Sequence, residues 1–256
     1  MAEASEELRV TAAVLVIGDE ILSGRTQDTN TRDIARALGA AGVDLRETRT
    51  VPDVHEEIVD ALDALRMRYT YVVTTGGIGP THDDITADAV AAAFGVPLQE
   101  DAEIIEELTR RMGEPPNAAR RRMARIPEGG IKVRNPVSGP PGFTIGNVFV
   151  LAGVPSIMRG MLEDVIPRLE GGAVVVSRTL RVEGTGEGVL AEPLERVAKA
   201  HLRLSLGSYP FQMEGGGYGA HLVVRGRDVA EVEAALHELE AALETAGVPG
   251  AQRVDG

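Results

Sequence analysis

After a polar lead the chain opens on a continuous apolar run, Thr11 to Ile17 (TAAVLVI). A run of that length without polar alternation is the pattern of a parallel strand buried on both faces. It stops at Gly18, and a polar loop leads to Asp28, a plausible helix N-cap. Ile34, Leu38 and Ala41 then recur on one helical face, and Gly42 closes the helix. Val43–Val51 reads as a second strand, and Asp53 precedes a helix whose apolar stripe is Ile58, Ala61, Leu62 and Leu65. Tyr69–Thr75 (YTYVVTT) predicts a third buried strand that runs into the glycine-rich turn Gly76–Pro80, and Thr86–Phe94 predicts a helix stopped by Gly95. Alternation at this spacing implies βαβ units and a mostly parallel sheet with helices on both faces. Ligands bind such sheets at the carboxyl ends of strands, where the polar loops Gly18–Gly24 and Gly76–Asp84 fall.

After Pro97 the pattern changes. Asp101–Met112 and Asn117–Ile126 read as helices on either side of Glu114–Pro116. A proline- and glycine-rich loop, Asn135–Gly142, precedes a hairpin-like pair near Phe143–Ile145 and Val148–Leu151. Pro155 suits the first turn of a helix, and Ile157, Met161, Leu162, Val165 and Leu169 form its apolar stripe. Gly171–Gly172 reads as a linker. Beyond it come a strand (Val174–Val182), a helix (Glu187–Ala200), two strands (Arg203–Ser208 and His221–Arg225) and a helix (Asp228–Ala246). That order predicts a smaller α+β (βαββα) domain over 172–250 behind a larger domain over 10–171.

Composition narrows the partners. At 256 residues the chain holds one large or two smaller domains, and its 43% apolar and 25% charged content is that of a globular protein. Twenty-six basic against 39 acidic residues leave a net charge of −13, which argues against general nucleic-acid binding. Only 3% of residues are aromatic, too few for a single-strand stacking platform. There is no cysteine, so thiolate metal sites and cysteine nucleophiles are excluded. The N-terminus lacks the basic flank and apolar stretch of a secretory signal, and no apolar run approaches a membrane span. A cytoplasmic protein without membrane or nucleic-acid partners is the plain expectation.

The stretch Thr74–Thr86, TTGGIGPTHDDIT, carries the clearest chemistry. Gly76, Gly77 and Gly79 let the backbone approach a ligand and turn N–H groups toward an anion. Asp83 and Asp84 follow at the entrance to a helix, and carboxylates beside such donors suit phosphates bridged by a divalent cation. The competing reading is a tight turn with a capping aspartate. Asp19, Glu20 and Ser23 in the first loop, with Asn30 beyond it, add further polar groups, although the two acids could simply be solvated. Asp53 and Glu56 form a D-x-x-E pattern, which reads as a capping box. Gly153, Pro155 and Ser156 sit at a helix start, whose free N–H groups favour an anion. The cluster Arg120, Arg121, Arg122 and Arg125 is either a solvated helix face or the source of an arginine that reaches phosphate. The histidines show no metal-ligand spacing.

TTGGIGPTHDDIT, the opening VIGDEILSGRTQDTN and the later LAGVPSIM together resemble the molybdopterin-binding (MogA/MoaB-like) domain, and more closely its CinA-like version, over about residues 10 to 170. The resemblance implies a three-layer α/β fold that binds a nucleotide or pterin at the glycine loop. It also implies metal-dependent hydrolysis of a nucleotide pyrophosphate such as ADP-ribose, with molybdopterin adenylylation or non-catalytic nucleotide or pterin binding as alternatives. The family's functional aspartates fall on Asp53 and Asp84, so Asp53 would serve as both cap and functional acid. Asp83 joins Asp84 as a candidate ligand for a divalent metal of unassigned identity. Glu20, Ser23, Asn30, Gly76, Gly77, Gly79, Thr81, Ser138, Gly139, Gly153 and Pro155 are the expected substrate contacts. The chain departs from the family at Ser138–Gly142 (SGPPG for GTAPG) and at Ala152 (LAGVP for LPGVP). CinA-like proteins commonly continue into an amidase domain, whose activity is expected to be absent from a chain ending at Gly256. A homo-oligomer is expected by analogy with similar proteins.

Overall fold

The computed structural model describes residues 9–248 and 250–254. The chain divides into two compact units, one up to Gly172 and one from Ala173. In chain order the first unit contains β1 (Thr11–Ile17), α1 (Asp19–Leu22), α2 (Asn30–Ala40), β2 (Asp44–Val51), α3 (His55–Arg66), β3 (Tyr71–Thr75) and α4 (Thr86–Phe94). It continues with β4 (Leu98–Glu100), α5 (Ala102–Met112), α6 (Ala118–Arg122), β5 (Arg125–Pro127), β6 (Ile131–Val133), β7 (Gly142–Ile145), β8 (Val148–Leu151) and α7 (Pro155–Val165).

Among the described residues the main sheet has six strands in the order β2-β1-β3-β8-β7-β6. The pairs β1–β2, β1–β3 and β3–β8 are parallel, and β7 runs antiparallel to both neighbours. The unbroken apolar run of β1 follows from its central place. Ala12, Val14 and Val16 face one layer with Ile34, Leu38, Met158, Met161 and Val165, from α2 and α7. Ala13, Leu15 and Ile17 face the other with Ile58, Leu62, Leu65, Ala89 and Val90, from α3 and α4. Side chains alternate across a strand, so a strand covered on both faces must be apolar at every position. This is the three-layer, mostly parallel α/β architecture.

Several elements differ from the sequence reading. The loop Gly18–Gly24 contains a helical turn, α1. The helix expected over 117–126 ends at Arg122, because residues 125–127 pair antiparallel with 98–100 to make a small second sheet. Asp101 and Asn117 cap α5 and α6, each accepting backbone N–H bonds through its side chain. Gly171 and Gly172 do not form a loose linker. Gly172 N–H donates to the Gly42 carbonyl over 3.1 Å, and a Cβ on Gly171 would lie 1.7 Å from the Ala41 carbonyl oxygen.

The second unit is β9 (Val176–Glu183), α8 (Glu187–Ala200), β10 (Ser205–Gln212), β11 (Tyr218–Gly226), α9 (Val229–Thr245) and β12 (Gln252–Val254). The final strand is absent from the βαββα expectation and completes an antiparallel sheet in the order β10-β11-β9-β12. The result is a β-α-β-β-α-β, ferredoxin-like arrangement. Leu180, Val182, Leu222 and Val224 meet Leu190, Val197, Leu236 and Leu239 in its core. No described helix is long and apolar enough to cross a membrane.

Candidate functional site

The parallel strands β2, β1, β3 and β8 all end on one edge of the main sheet, and the polar residues gather there. Backbone bonds tie the ends together: Gly18 N–H donates to the Val51 carbonyl (3.1 Å) and Gly76 N–H to the Leu151 carbonyl (3.3 Å). Asn30, buried at the start of α2, joins two more. Its Nδ2 donates to Thr75 Oγ1 (2.8 Å) and to the Gly153 carbonyl (2.7 Å), while Thr75 Oγ1 donates to the Ala152 carbonyl (2.9 Å). Asn30 Oδ1 is buried without a hydrogen-bond partner. Asp28 accepts from the backbone N–H groups of Asn30 and Thr31 at 2.9 and 3.1 Å, which holds the head of α2 in place.

The glycine loop has a steric reason for its composition. Gly76 has φ +110°, and a Cβ there would lie 2.0 Å from the Ile17 carbonyl oxygen. Gly77 has φ +65°, with Thr86 Oγ1 where its Cβ would be, and Thr86 Oγ1 instead donates to the Gly76 carbonyl at 2.9 Å. Gly79 packs on the Asp84 carboxylate, which accepts the Thr81 N–H at 2.7 Å and the Thr81 hydroxyl. A narrow pocket lies here, lined by Gly77, Gly79, Asp84, Arg122, Pro141 and Phe143 among others. A roomier groove between α2 and α7 has a floor of Ala37, Leu162, Ile166 and Pro167. It shares none of the residues of this edge and has no glycine loop.

Asp53 does not cap α3. The N-cap is Val54, in extended conformation and without a side-chain cap bond, so the D-x-x-E capping box does not form. The Asp53 carboxylate instead accepts the Asp19 N–H through Oδ2 at 2.9 Å. Burial pushes the Asp53 carboxyl above the ordinary aspartate range; the Asp19 N–H opposes this, while the charges of Asp19, Glu20 and Asp83 add to it. Asp83 is held lower, first by the Thr81 hydroxyl, then by its own backbone N–H, His82 and Arg122. The same hydroxyl also faces Asp84, so the two carboxylates share its single proton.

Asn30, Gly76 and Gly153 are therefore adjacent, as are Gly77, Gly79, Thr81 and Asp84. Glu20 and Ser23 are exposed on and just beyond α1, where the Ser23 hydroxyl donates to the Glu20 carbonyl at 3.4 Å. Ser138 and Gly139 sit in an exposed loop folded around Asn135, which donates to the Ser138 carbonyl and, at 2.9 Å, to that of Pro140. Pro155 is exposed at the first position of α7. Sequence reasoning passed over Thr75 and Thr86, the hydroxyls that bracket the glycine loop. Their positions on either side of the GGxG run were the available signal.

Among the described residues no three His, Asp or Glu side chains converge closely enough to hold a metal ion alone. Magnesium typically binds through one or two carboxylates and fills its remaining positions with phosphate oxygens and water. Asp84, which lines the pocket, and the exposed Asp83 beside it fit a cation shared with a phosphate ligand rather than a preformed protein cage.

Residues 13–171 match the family described as a probable molybdopterin binding domain, and residues 174–251 match the FAD synthase middle domain. The chain belongs to the molybdopterin-binding-domain family and, within it, to the CinA-like proteins. A CinA-like protein of Citrifermentans bemidjiense is 41% identical over 72% of this chain and 47% of its own length. One of Frankia casuarinae is 34% identical over 92% of this chain and 58% of its own. The chain thus spans about half the length of these relatives. The crystal structure of CinA from Thermoplasma acidophilum is 32% identical, covers 62% of this chain and 96% of its own, and superposes with a TM-score of 0.59.

Proposed function

We propose that the first unit hydrolyses the pyrophosphate of a dinucleotide of the ADP-ribose type, giving AMP and a sugar phosphate. The observation that carries this reading is the meeting of the glycine loop with Asp84 at one pocket; Asp53, a carboxylate held above its usual range, feels the charge of the neighbouring Asp83. The loop's N–H groups receive the phosphate oxygens, and Thr81 fixes the Asp84 carboxylate so that it does not have to be ordered when ligand arrives. Asp84 and Asp83 would hold a divalent cation, which when bound neutralises the phosphates and polarises their oxygens. Asp53, a stronger proton acceptor than an ordinary aspartate, takes the proton of the water that attacks phosphorus as the bridging P–O bond breaks.

The test is AMP release from ADP-ribose by the purified chain with Mg²⁺, Mn²⁺ or Co²⁺ against a chelator control. Metal-dependent AMP that Asp84→Asn abolishes, with the fold unchanged by circular dichroism, supports the reading. Full turnover in Asp84→Asn would remove Asp84 from it. A second reading is adenylylation of a pterin, favoured by the match over residues 13–171 to a probable molybdopterin binding domain. ADP-ribose left intact while ATP is consumed onto molybdopterin would select it, and binding without turnover of either would make this a ligand-binding module.

A further inference from the structure

Four arginines crowd one short stretch of this acidic chain, and the structure separates them by partner. Arg121 forks onto Glu100, with Nε donating to Oε1 at 3.1 Å and Nη2 to Oε2. Arg125 forks onto Asp88 at 3.1 and 2.8 Å. Arg120 lies 4.0 Å from Glu114. Arg122 differs. Its Nη2 donates to a neutral acceptor, the His82 carbonyl, at 3.4 Å, its Nε is buried with no hydrogen-bond partner, and Asp83 feels its charge only through space, without an ion pair between them. It lines the pocket with Gly77, Gly79 and Asp84; Arg125 lines it too, but with its fork already taken by Asp88.

We infer that Arg122 is the phosphate-holding cation of the glycine-loop pocket, its guanidinium taking an oxygen pair of a linked diphosphate whose other oxygens meet the loop N–H groups. This rests on the phosphate-binding reading of the pocket and names the residue that supplies its positive charge. A buried N–H without an acceptor costs free energy, which an arriving phosphate oxygen returns. The planar fork suits phosphate, and charge-assisted bonds of this kind are about twice as strong as neutral ones. The need is plain in a chain of net charge −13, because Asp84 in the same pocket repels a polyanion. Arg121 and Arg125 are already neutralised by their own carboxylates, so the four arginines are not equivalent.

The experiment is isothermal titration of the full chain with inorganic pyrophosphate and, separately, with adenosine. Arg122→Ala is expected to weaken pyrophosphate binding at least tenfold and leave adenosine binding within twofold. Arg122→Lys, which keeps the charge and loses the fork, falls between, and Arg121→Ala stays within twofold of the wild type for both probes. If Arg122→Ala unfolds, Arg122→Gln keeps most of the stem and carries the same comparison. Pyrophosphate affinity unchanged in these variants, or no pyrophosphate binding by the wild type, overturns the assignment. Arg122-dependent pyrophosphate binding with no AMP from ADP-ribose would sink the hydrolase reading and leave Arg122 in place. AMP release with pyrophosphate binding indifferent to Arg122 would do the reverse.

Discussion

The backbone N–H of Asp19, just beyond β1, donates to Oδ2 of Asp53, just beyond β2, at 2.9 Å. One carboxylate thereby pins two loops of the sheet edge while sitting among the charges of Asp19, Glu20 and Asp83. Its folded-state pKa is raised, chiefly by burial, so between the ordinary value of 3.8 and that raised value the native state binds more protons than the unfolded one. Stability from this group is therefore present at low pH and lost as pH rises through the folded pKa. Asp53→Asn keeps an acceptor for the Asp19 N–H and removes the charge. At pH 7 it should stabilise the fold only slightly, because solvent screens the exposed part of the carboxylate, and the Tm should rise by about 1–2 °C. The gain should vanish below pH 4, and AMP release should be lost. Thermal melts at pH 7 and pH 3.5 check the sign.

Asn30 gives a second prediction. Asn30→Ala removes the donor to Thr75 and Gly153 and leaves the Gly153 carbonyl without that bond, a loss of about 1–3 kcal/mol. Asn30→Asp has the same shape but sets a carboxylate oxygen against the Gly153 carbonyl. It should be less stable than Asn30→Ala at neutral pH and recover as the new carboxyl is protonated. Urea midpoints at pH 7 and pH 4 test both.

How far the sequence speaks depends on whether the decisive contact is local. β1 is visible because burial on both faces makes every residue apolar, and α4 because Gly95 stops it in a left-handed conformation. β5 is hidden: Arg125–Pro127 follows a helix-forming arginine run, and only pairing with Leu98–Glu100 makes it a strand. β12 is three residues long and depends on β9 in the same way. At the site, the glycine loop is readable because its steric demands are written into its residue types. The Asp53–Glu56 pattern misleads because a local cap lost to a partner 34 residues away. Thr75 and Thr86 carry only their positions beside the glycine run as a signal; the carbonyl that Thr75 anchors, that of Ala152, lies 77 residues away.

The glycine loop predicts unequal costs for one substitution. Gly76→Ala drives a Cβ to within 2.0 Å of the Ile17 carbonyl oxygen at φ +110°, so β1 and the loop must part. A loss of more than about 3 kcal/mol, or no soluble protein, is expected. Gly24→Ala, at φ +70° with open space around it, pays only the left-handed penalty of about 1–2 kcal/mol. Chemical denaturation of the pair separates clash from conformational strain. Equal losses would mean that the close approach of Gly76 to β1 is not what fixes its identity.

The last prediction concerns Gly171, where the end of the first unit runs against the close of α2. A Cβ there would sit 1.7 Å from the Ala41 carbonyl oxygen, and Gly42 opposite is equally tight, its own Cβ position lying 2.0 Å from the Gly172 carbonyl oxygen. Two backbones in that contact leave no room for a methyl group, so Gly171→Ala must push the chain off the end of α2 and break the Gly172 N–H bond to Gly42. A loss of about 2–4 kcal/mol is expected. Gly39→Ala is the opposite case two residues away from Ala41. It lies in the last turn of α2, exposed, with nothing within 4 Å of its Cβ position. Alanine restricts the unfolded chain and favours the helix, so that variant should gain about 0.5 kcal/mol. Urea unfolding of both, followed by tyrosine fluorescence and circular dichroism, measures the two changes directly. If Gly171→Ala were as stable as the wild type, residues 171–172 would be the loose connection that their glycine content suggests.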